Sequence, residues 1–416
     1  AKMIARKDNV VKQNNDGILY LFKKNKVSFF HGRAAFSKAV EGGYEVIAPS
    51  WRPDLAHKTD LAEEVARIVG YDRIGTRLPV APPGRGLTKN QKLRRAVLTA
   101  AVGAGGTEVL TYPFVSQETN DYFVDAASSV KLANPMQEEV GQLRLTILGG
   151  LLDAARRNLS RGLTDLSIFE EGSVFIPTAG SSKTFELPSA VERPSAEVLA
   201  SIQATLPLQP KRFAAVLTGE RVKQQVGVVS VSYDYSDAIA LASNVVSSTG
   251  SELTVRQGQA KGFHPGRTAE LFIGEVSIGF AGELAPALTS EKDLPRRVAA
   301  LEINLDAVYA AAPEVRQASP IFGYPAATQD LSLLVALDVP AGEVLRVIEE
   351  GAGALLEQVR LVEDYRGENL PEGQKSLTFA LRFRATDRTL TQVEASEARD
   401  AAVALAGTKF GATIRA

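Results

Sequence analysis

Residues 331–415 switch between strand-like and helix-like hydrophobic patterns in a fixed order, and no other feature narrows the possible folds as far. Leu331 to Val335 reads as a strand, Ala341 to Ala354 as a helix and Val359 to Tyr365 as a second strand. A polar loop leads to a strand over Ser376 to Phe383, a helix over Gln392 to Leu405 and a last strand over Ala412 to Arg415. The order β-α-β-β-α-β is that of the split βαβ arrangement. Leu381 and Phe383 alternate with Arg382 and Arg384, so both arginines fall on one strand face.

The 416 residues make room for about three domains at roughly 150 residues each. A 45% hydrophobic, 23% charged composition supports a buried core, which sets aside disorder. The absence of cysteine excludes thiol catalysis, cysteine-ligated zinc, iron–sulfur clusters and redox disulfides. His31, His57 and His264 stand in no metal-ligand spacing. With 47 basic and 48 acidic residues, nucleic-acid contact has to come from a local patch, not from a bulk field. No apolar run approaches the ~20 residues of a membrane span and no signal-peptide pattern opens the chain, which predicts a cytoplasmic protein.

Two proline-marked linkers, near 79–86 and 311–320, divide the chain. Between them the patterns predict helices over Gln91 to Val102 and Leu143 to Arg161, and a strand over Thr107 to Tyr112. Ala214 to Leu217, Ala269 to Phe272 and Val276 to Phe280 read as strands of one largely antiparallel sheet. Before the first linker, Asp60 with Glu63 has capping-box spacing, and Leu61, Val65 and Ile68 share one helical face. Lys2 to Asn9 is helix-compatible, Ile18 to Phe22 and Val27 to Phe30 are short apolar runs, and Tyr44 to Ile47 reads as a strand.

Several blocks, in collinear order, resemble the C-terminal part of the bacterial phenylalanyl-tRNA synthetase beta subunit. They are Pro49-Ser-Trp-Arg-Pro-Asp54 with Asp60 to Asp72; Leu143-Arg-Leu-Thr-Ile-Leu-Gly-Gly-Leu-Leu152; Ile168-Phe-Glu-Glu-Gly-Ser-Val-Phe175; Gly262-Phe-His-Pro-Gly-Arg-Thr-Ala269; and Phe322 to Ser332 with Thr386 to Thr391. Gly149, Ala285 and Gln329 depart from the family pattern. The resemblance implies an α+β chain: a partial winged-helix-like domain at 49–78, a class II synthetase catalytic-like antiparallel sheet domain at 87–310 that lacks the class II catalytic motifs, and a ferredoxin-fold anticodon-binding domain at 319–416. Residues 1–48 look instead like an interior fragment of a flavin reductase, dihydrolipoamide dehydrogenase, which makes the chain a truncated fusion or a chimera on this reading.

Asp54, Asp60, Glu63 and Glu64 place four carboxylates within eleven residues, a set that by its residues alone favours capping and the positive end of a helix dipole over a hard divalent cation. Their match to the family implies a Mg²⁺ site shared with an alpha subunit. His264-Pro-Gly-Arg267 has no nearby acid or nucleophile and reads as a structural turn. In the last domain Lys375, Arg382, Arg384, Arg388 and Lys409 are the candidates for tRNA phosphate contacts. The resemblance implies a chain that is not itself catalytic. It would assemble as two alpha and two beta subunits, the alpha subunit binding ATP and attaching phenylalanine to tRNA while the beta chain holds the anticodon stem–loop. The alternative is a stand-alone RNA-binding or scaffold protein.

Overall fold

The computed structural model describes residues 35–415 except 41–42, 81–83, 85, 125–128, 182–187, 189–192 and 319–320, with scattered positions nearer the N-terminus. The chain divides into two compact units, Ala1–Arg85 and Gly86–Ala416. In the first, β1 (Ala35–Val40) and β2 (Gly43–Ile47) pair antiparallel, and α1 (Lys58–Val69) follows the proline turn. Asp60 does not begin α1, as its spacing predicts, but sits at its third position. There its carboxylate accepts hydrogen bonds from the backbone N–H of Ala56 (3.0 Å) and His57 (2.7 Å). The element readings over 2–9, 18–22 and 27–30 lie almost wholly outside the described residues.

The second unit opens with α2 (Lys89–Gly103), which Thr88 caps by accepting from Gln91 N–H, then β3 (Thr107–Glu108). The strand predicted to Tyr112 stops at Glu108, and Leu110 and Tyr112 stay exposed. β4 (Phe114–Val115) pairs with β5 (Gln142–Leu143), with α3 (Gln117–Asp121) between them. α4 (Leu148–Leu159) begins five residues later than the pattern predicts. The residues before it are tied elsewhere: Arg144 N–H bonds Pro113 O, and Thr146 Oγ1 bonds the Glu302 carboxylate.

β6 (Leu166–Ser173), β7 (Lys211–Thr218), β10 (Thr254–Gln257), β11 (Phe263–Ile273), β12 (Val276–Leu284) and β13 (Val298–Asn304) join β3 in a seven-stranded sheet ordered β10-β11-β12-β13-β7-β6-β3. All its pairs are antiparallel except β3 with β6. β7 explains the layering. Phe213, Ala215 and Leu217 point to one face, where they meet α2, α6 (Tyr235–Ser248) and α8 (Leu305–Ala311). Ala214 and Val216 point to the other, against α4 and α7 (Pro286–Glu291). A strand covered on both faces loses polar alternation and becomes a continuous apolar run, as 213–217 is. The excursion between β6 and β7 carries α5 (Ala196–Gln203), and a small hairpin of β8 (Glu220–Val222) and β9 (Val231–Ser232) follows β7.

The C-terminal region has its own core. β14 (Ala327–Ala336), α9 (Ala341–Ala352), β15 (Leu356–Tyr365), β16 (Gln374–Phe383), α10 (Gln392–Phe410) and β17 (Thr413–Ile414) form a four-stranded sheet ordered β15-β16-β14-β17. Leu331, Leu333, Val335, Leu377, Phe379, Leu381 and Phe383 pack beneath Val344, Val347 and Ile348 of α9 and Ala395, Ala402 and Ala406 of α10. Both helices therefore cover one face, and among the described residues the other is free of helices. The α+β class and the ferredoxin-like order both hold. Among the described residues no helix is long and apolar enough to cross a membrane.

Candidate functional site

The four N-terminal carboxylates do not converge. The Pro49–Leu55 turn, closed by Arg52 N–H to Pro49 O, brings Arg52 between them. Its guanidinium donates to Asp54 (Nη2–Oδ2, 2.6 Å) and to Glu64 (Nη2–Oε1, 2.6 Å), and Arg67 takes the other Glu64 oxygen at 2.6 Å. Hydrogen bonds from Arg52 hold both carboxyls below their ordinary ranges. Asp60 is spent on the start of α1, and Glu63 is exposed. Among the described residues no group of three or more His, Asp or Glu side chains is placed to hold a metal. Mg²⁺ needs several free oxygen ligands, and a guanidinium among the carboxylates has the opposite charge requirement. As arranged, the set does not fit the ion. Arg52 was readable two residues before Asp54, but its reach to Glu64 depends on the turn.

On the seven-stranded sheet, the α4 face carries charges that the segment before α4 satisfies internally. Arg144 and Glu170 are both buried and meet at 2.7 Å. Arg144 also donates to Thr111 Oγ1 (3.0 Å) and Ser173 O (2.9 Å), while Thr111 donates to Glu170 Oε2 (2.6 Å). Gly172 is required here, because a Cβ would run into the Arg144 guanidinium. Glu302 accepts from Thr146 Oγ1 (2.9 Å) and Ile147 N–H (2.8 Å), and burial pushes its carboxyl pKa up. A buried charge without such partners is costly, so this network fixes the segment to the sheet. Its chemistry is structural: the polar groups answer one another.

The five basic candidates of the last domain separate onto different surfaces. Lys375 has the parity of Leu377 and Phe379, so it points to the helix side. It is 3% exposed, 3.9 Å from Asp364, with its pKa lowered by burial. It cannot meet RNA from there. Lys409 lies on α10 and pairs with Glu350 of α9 at 2.7 Å, in the helix layer. Arg388 follows β16 and pairs with Glu394 (2.7 Å), whose carboxyl is held down to about 2 chiefly by hydrogen bonding to the Thr391 backbone and then by Arg388.

Arg382 and Arg384 alone of the five lie by the free sheet face, and they share one carboxylate: Glu357 Oε2 is 2.7 Å from Arg382 Nε and 3.2 Å from Arg384 Nε. The register sets outward rows Gln358–Arg382–Thr328, Arg360–Ala380–Asp330 and Glu363–Thr378–Ser332 across the strands. Arg415 N–H extends the third row by bonding Ser332 O, and its guanidinium lies 5.0 Å from the Tyr365 ring. Sequence reasoning missed Arg360 and Arg415. Arg360 was visible in the alternation Val359-Arg360-Leu361, and it has no carboxylate partner among the described residues. The free face is thus small, polar and bordered by Arg360, Arg382, Arg384 and Arg415, with Tyr365 beside Arg415 and the Phe322 ring 5.4 Å from the Arg384 guanidinium.

Residues 74–305 match the model of the phenylalanyl tRNA synthetase beta chain CLM domain, more than half of the chain. The chain belongs to the phenylalanyl-tRNA synthetase beta-chain family. Residues 323–415 match the ferredoxin-fold anticodon binding domain, and residues 18–71 match the tRNA synthetase B5 domain. The B5 match corrects the reading of the N-terminus: it begins at residue 18 and runs across position 48, and the flavin-reductase resemblance finds no support. Relatives named Phenylalanine–tRNA ligase beta subunit include those of Leifsonia xyli subsp. xyli (53% identical, 90% of this chain, 45% of the relative) and Streptomyces avermitilis (47%, 89% and 45%). That of Thermobifida fusca is 45% identical over 89% of this chain and 46% of the relative. The chain spans just under half the length of these family members.

Proposed function

We propose that the chain acts as a beta-subunit segment of a cytoplasmic phenylalanyl-tRNA synthetase, supporting ATP-dependent attachment of phenylalanine to tRNA that an alpha subunit carries out. The observation that carries this is the ordered match of the beta-chain CLM domain over residues 74–305 and the ferredoxin-fold anticodon binding domain over 323–415. On the α4 face Arg144, Thr146 and the backbone at Ile147 take up Glu170 and Glu302, while Arg212 on the same face has a buried Nε without a hydrogen-bond partner among the described residues. ATP binding is assigned to the alpha partner, and no step is routed through Mg²⁺ at Asp54, Asp60, Glu63 and Glu64.

Two surfaces support the partner and RNA roles. Among the described residues β3 is an edge strand paired only with β6, and exposed Leu110, Tyr112 and Met136 lie on the segments that follow it. An open edge beside exposed apolar side chains suits docking of another chain. In the last domain, the uncovered sheet face offers arginines for phosphates and Tyr365 beside them, a pattern that holds RNA without reading every base.

Purification of the chain with a phenylalanyl-tRNA synthetase alpha subunit tests the reading. A stable complex that charges tRNA with phenylalanine is expected, while the chain alone gives no phenylalanine-dependent pyrophosphate exchange. Two separate species at micromolar concentration, or exchange by the chain alone, would overturn it.

A further inference from the structure

The turn His264-Pro-Gly-Arg267 enters neither the sheet ladder nor the network around Glu170. The pairing of β11 with β12 slips between Phe263 and Thr268, so these four residues leave the ladder as a bulge. The bulge is fixed by its own bonds: Gly266 N–H donates to His264 Nδ1 (3.1 Å), and Thr268 Oγ1 donates to His264 O (2.6 Å). Bulges of this kind re-aim a side chain out of the sheet. Here the residue re-aimed is Arg267, and it lines a half-open cleft of about 710 Å³ together with His264, Tyr233, Arg296 and Arg297.

Glu283, near the end of β12, lies at the base of this cleft and is buried. Arg267 Nε stands 2.8 Å from one of its oxygens and Arg297 Nε 3.6 Å from the other. Both guanidinium groups approach the carboxylate through Nε, and among the described residues the terminal NH₂ groups of neither donate a hydrogen bond. Their side chains are 42% and 57% exposed. Arg296 beside them has no acceptor among the described residues. Three guanidiniums line the cleft with two carboxylates, Glu283 and Glu220, Asp234 lies within electrostatic reach of Arg297, and the buried Glu283 serves to orient two arginines. A planar fork held from behind by a carboxylate presents its remaining N–H groups to a second oxyanion.

We propose that this cleft is a phosphate-binding site, with Arg267, Arg296 and Arg297 as the binding residues and Glu283 as the residue that positions two of them. The ligand is a compound or chain bearing phosphate groups. The cleft has room for more than one phosphate, with Tyr233 among its lining residues. The site is separate from the ferredoxin-like face and does not depend on the synthetase reading.

Calorimetric titration of the full chain with inorganic pyrophosphate tests it. Saturable binding is expected, weakened at least tenfold in R296A/R297A and in the independent variant R267Q, while R256A, at a distant exposed ion pair, binds as the wild type does. Thermal melts identify any variant that fails to fold, and R267Q and R296A/R297A back each other up. Displacement of pyrophosphate by a ten-nucleotide oligouridylate assigns the phosphate to an RNA strand, and its failure to displace assigns it to small free anions. No saturable binding by the wild-type chain, or equal binding by folded R296A/R297A, overturns the proposal.

Discussion

The two large sheets of the second unit solve the same burial problem in opposite ways. The seven-stranded sheet is sandwiched between helices, and its charges are closed off in pairs such as Arg144 with Glu170. The four-stranded sheet sets both helices on one face and leaves the other polar, with Arg382 half-exposed and Arg384 mostly covered. Arginine and glutamate are therefore fastening groups in the first and solvent-facing groups in the second. Burial, not residue type, separates the roles.

The largest expected effect breaks the closed sheet. Arg144→Ala leaves Glu170 buried without its cation and should lower stability by about 3–5 kcal/mol, read by urea denaturation. R144M/E170L, which removes both charges, should recover most of that loss. A loss below about 1 kcal/mol for Arg144→Ala would mean that the pair behaves as a surface contact.

On the open sheet the expected loss is of function. Arg360→Ala with Arg382→Ala should weaken tRNA binding and reduce its salt slope by ~0.7–0.9 for each phosphate that is no longer neutralised. Stability should change by less than about 1 kcal/mol, since exposed ion pairs contribute little. Unchanged affinity and slope in filter-binding titrations would place the RNA elsewhere. Glu357→Gln sharpens the same point, because it releases Arg382 and Arg384 from their shared carboxylate. Affinity for tRNA should then rise severalfold at low salt, and a fall would show that Glu357 orients the arginines instead.

The smallest effect comes from Lys375, which separates the two faces of one strand. Burial lowers its pKa below 10.5, so in the window just under that value the unfolded chain binds more protons than the folded one. Stability contributed by this residue therefore rises with pH there. Lys375→Met should remove that rise, measured by denaturation between pH 8 and 10.5, and leave tRNA affinity unaltered.

The order of the C-terminal elements was legible because each strand and helix carries its own period: β14, α9, β15, β16 and α10 all lie where the pattern puts them. The parity that buries Lys375 was legible too, from Leu377 and Phe379, and was outweighed by attention to charge alone. Arg360 and Arg415 were equally available from alternation. The start of α4 was not. Leu143, Leu145 and Leu148 suit a helix, but Arg144 and Thr146 form stronger bonds to residues 26 and 156 positions away.

By itself the sequence determined the exclusions that follow from the missing cysteine and the element order of the last domain, since composition and local hydrophobic period need no partner to take effect. Only the tertiary structure decided which charges are available. Arg52 neutralises Asp54 and Glu64, Arg144 closes Glu170, and Glu283 turns Arg267 and Arg297 toward a cleft. The physical reason is that the strength of a charge depends on the solvent and counter-charge around it, and both are set by residues distant along the chain.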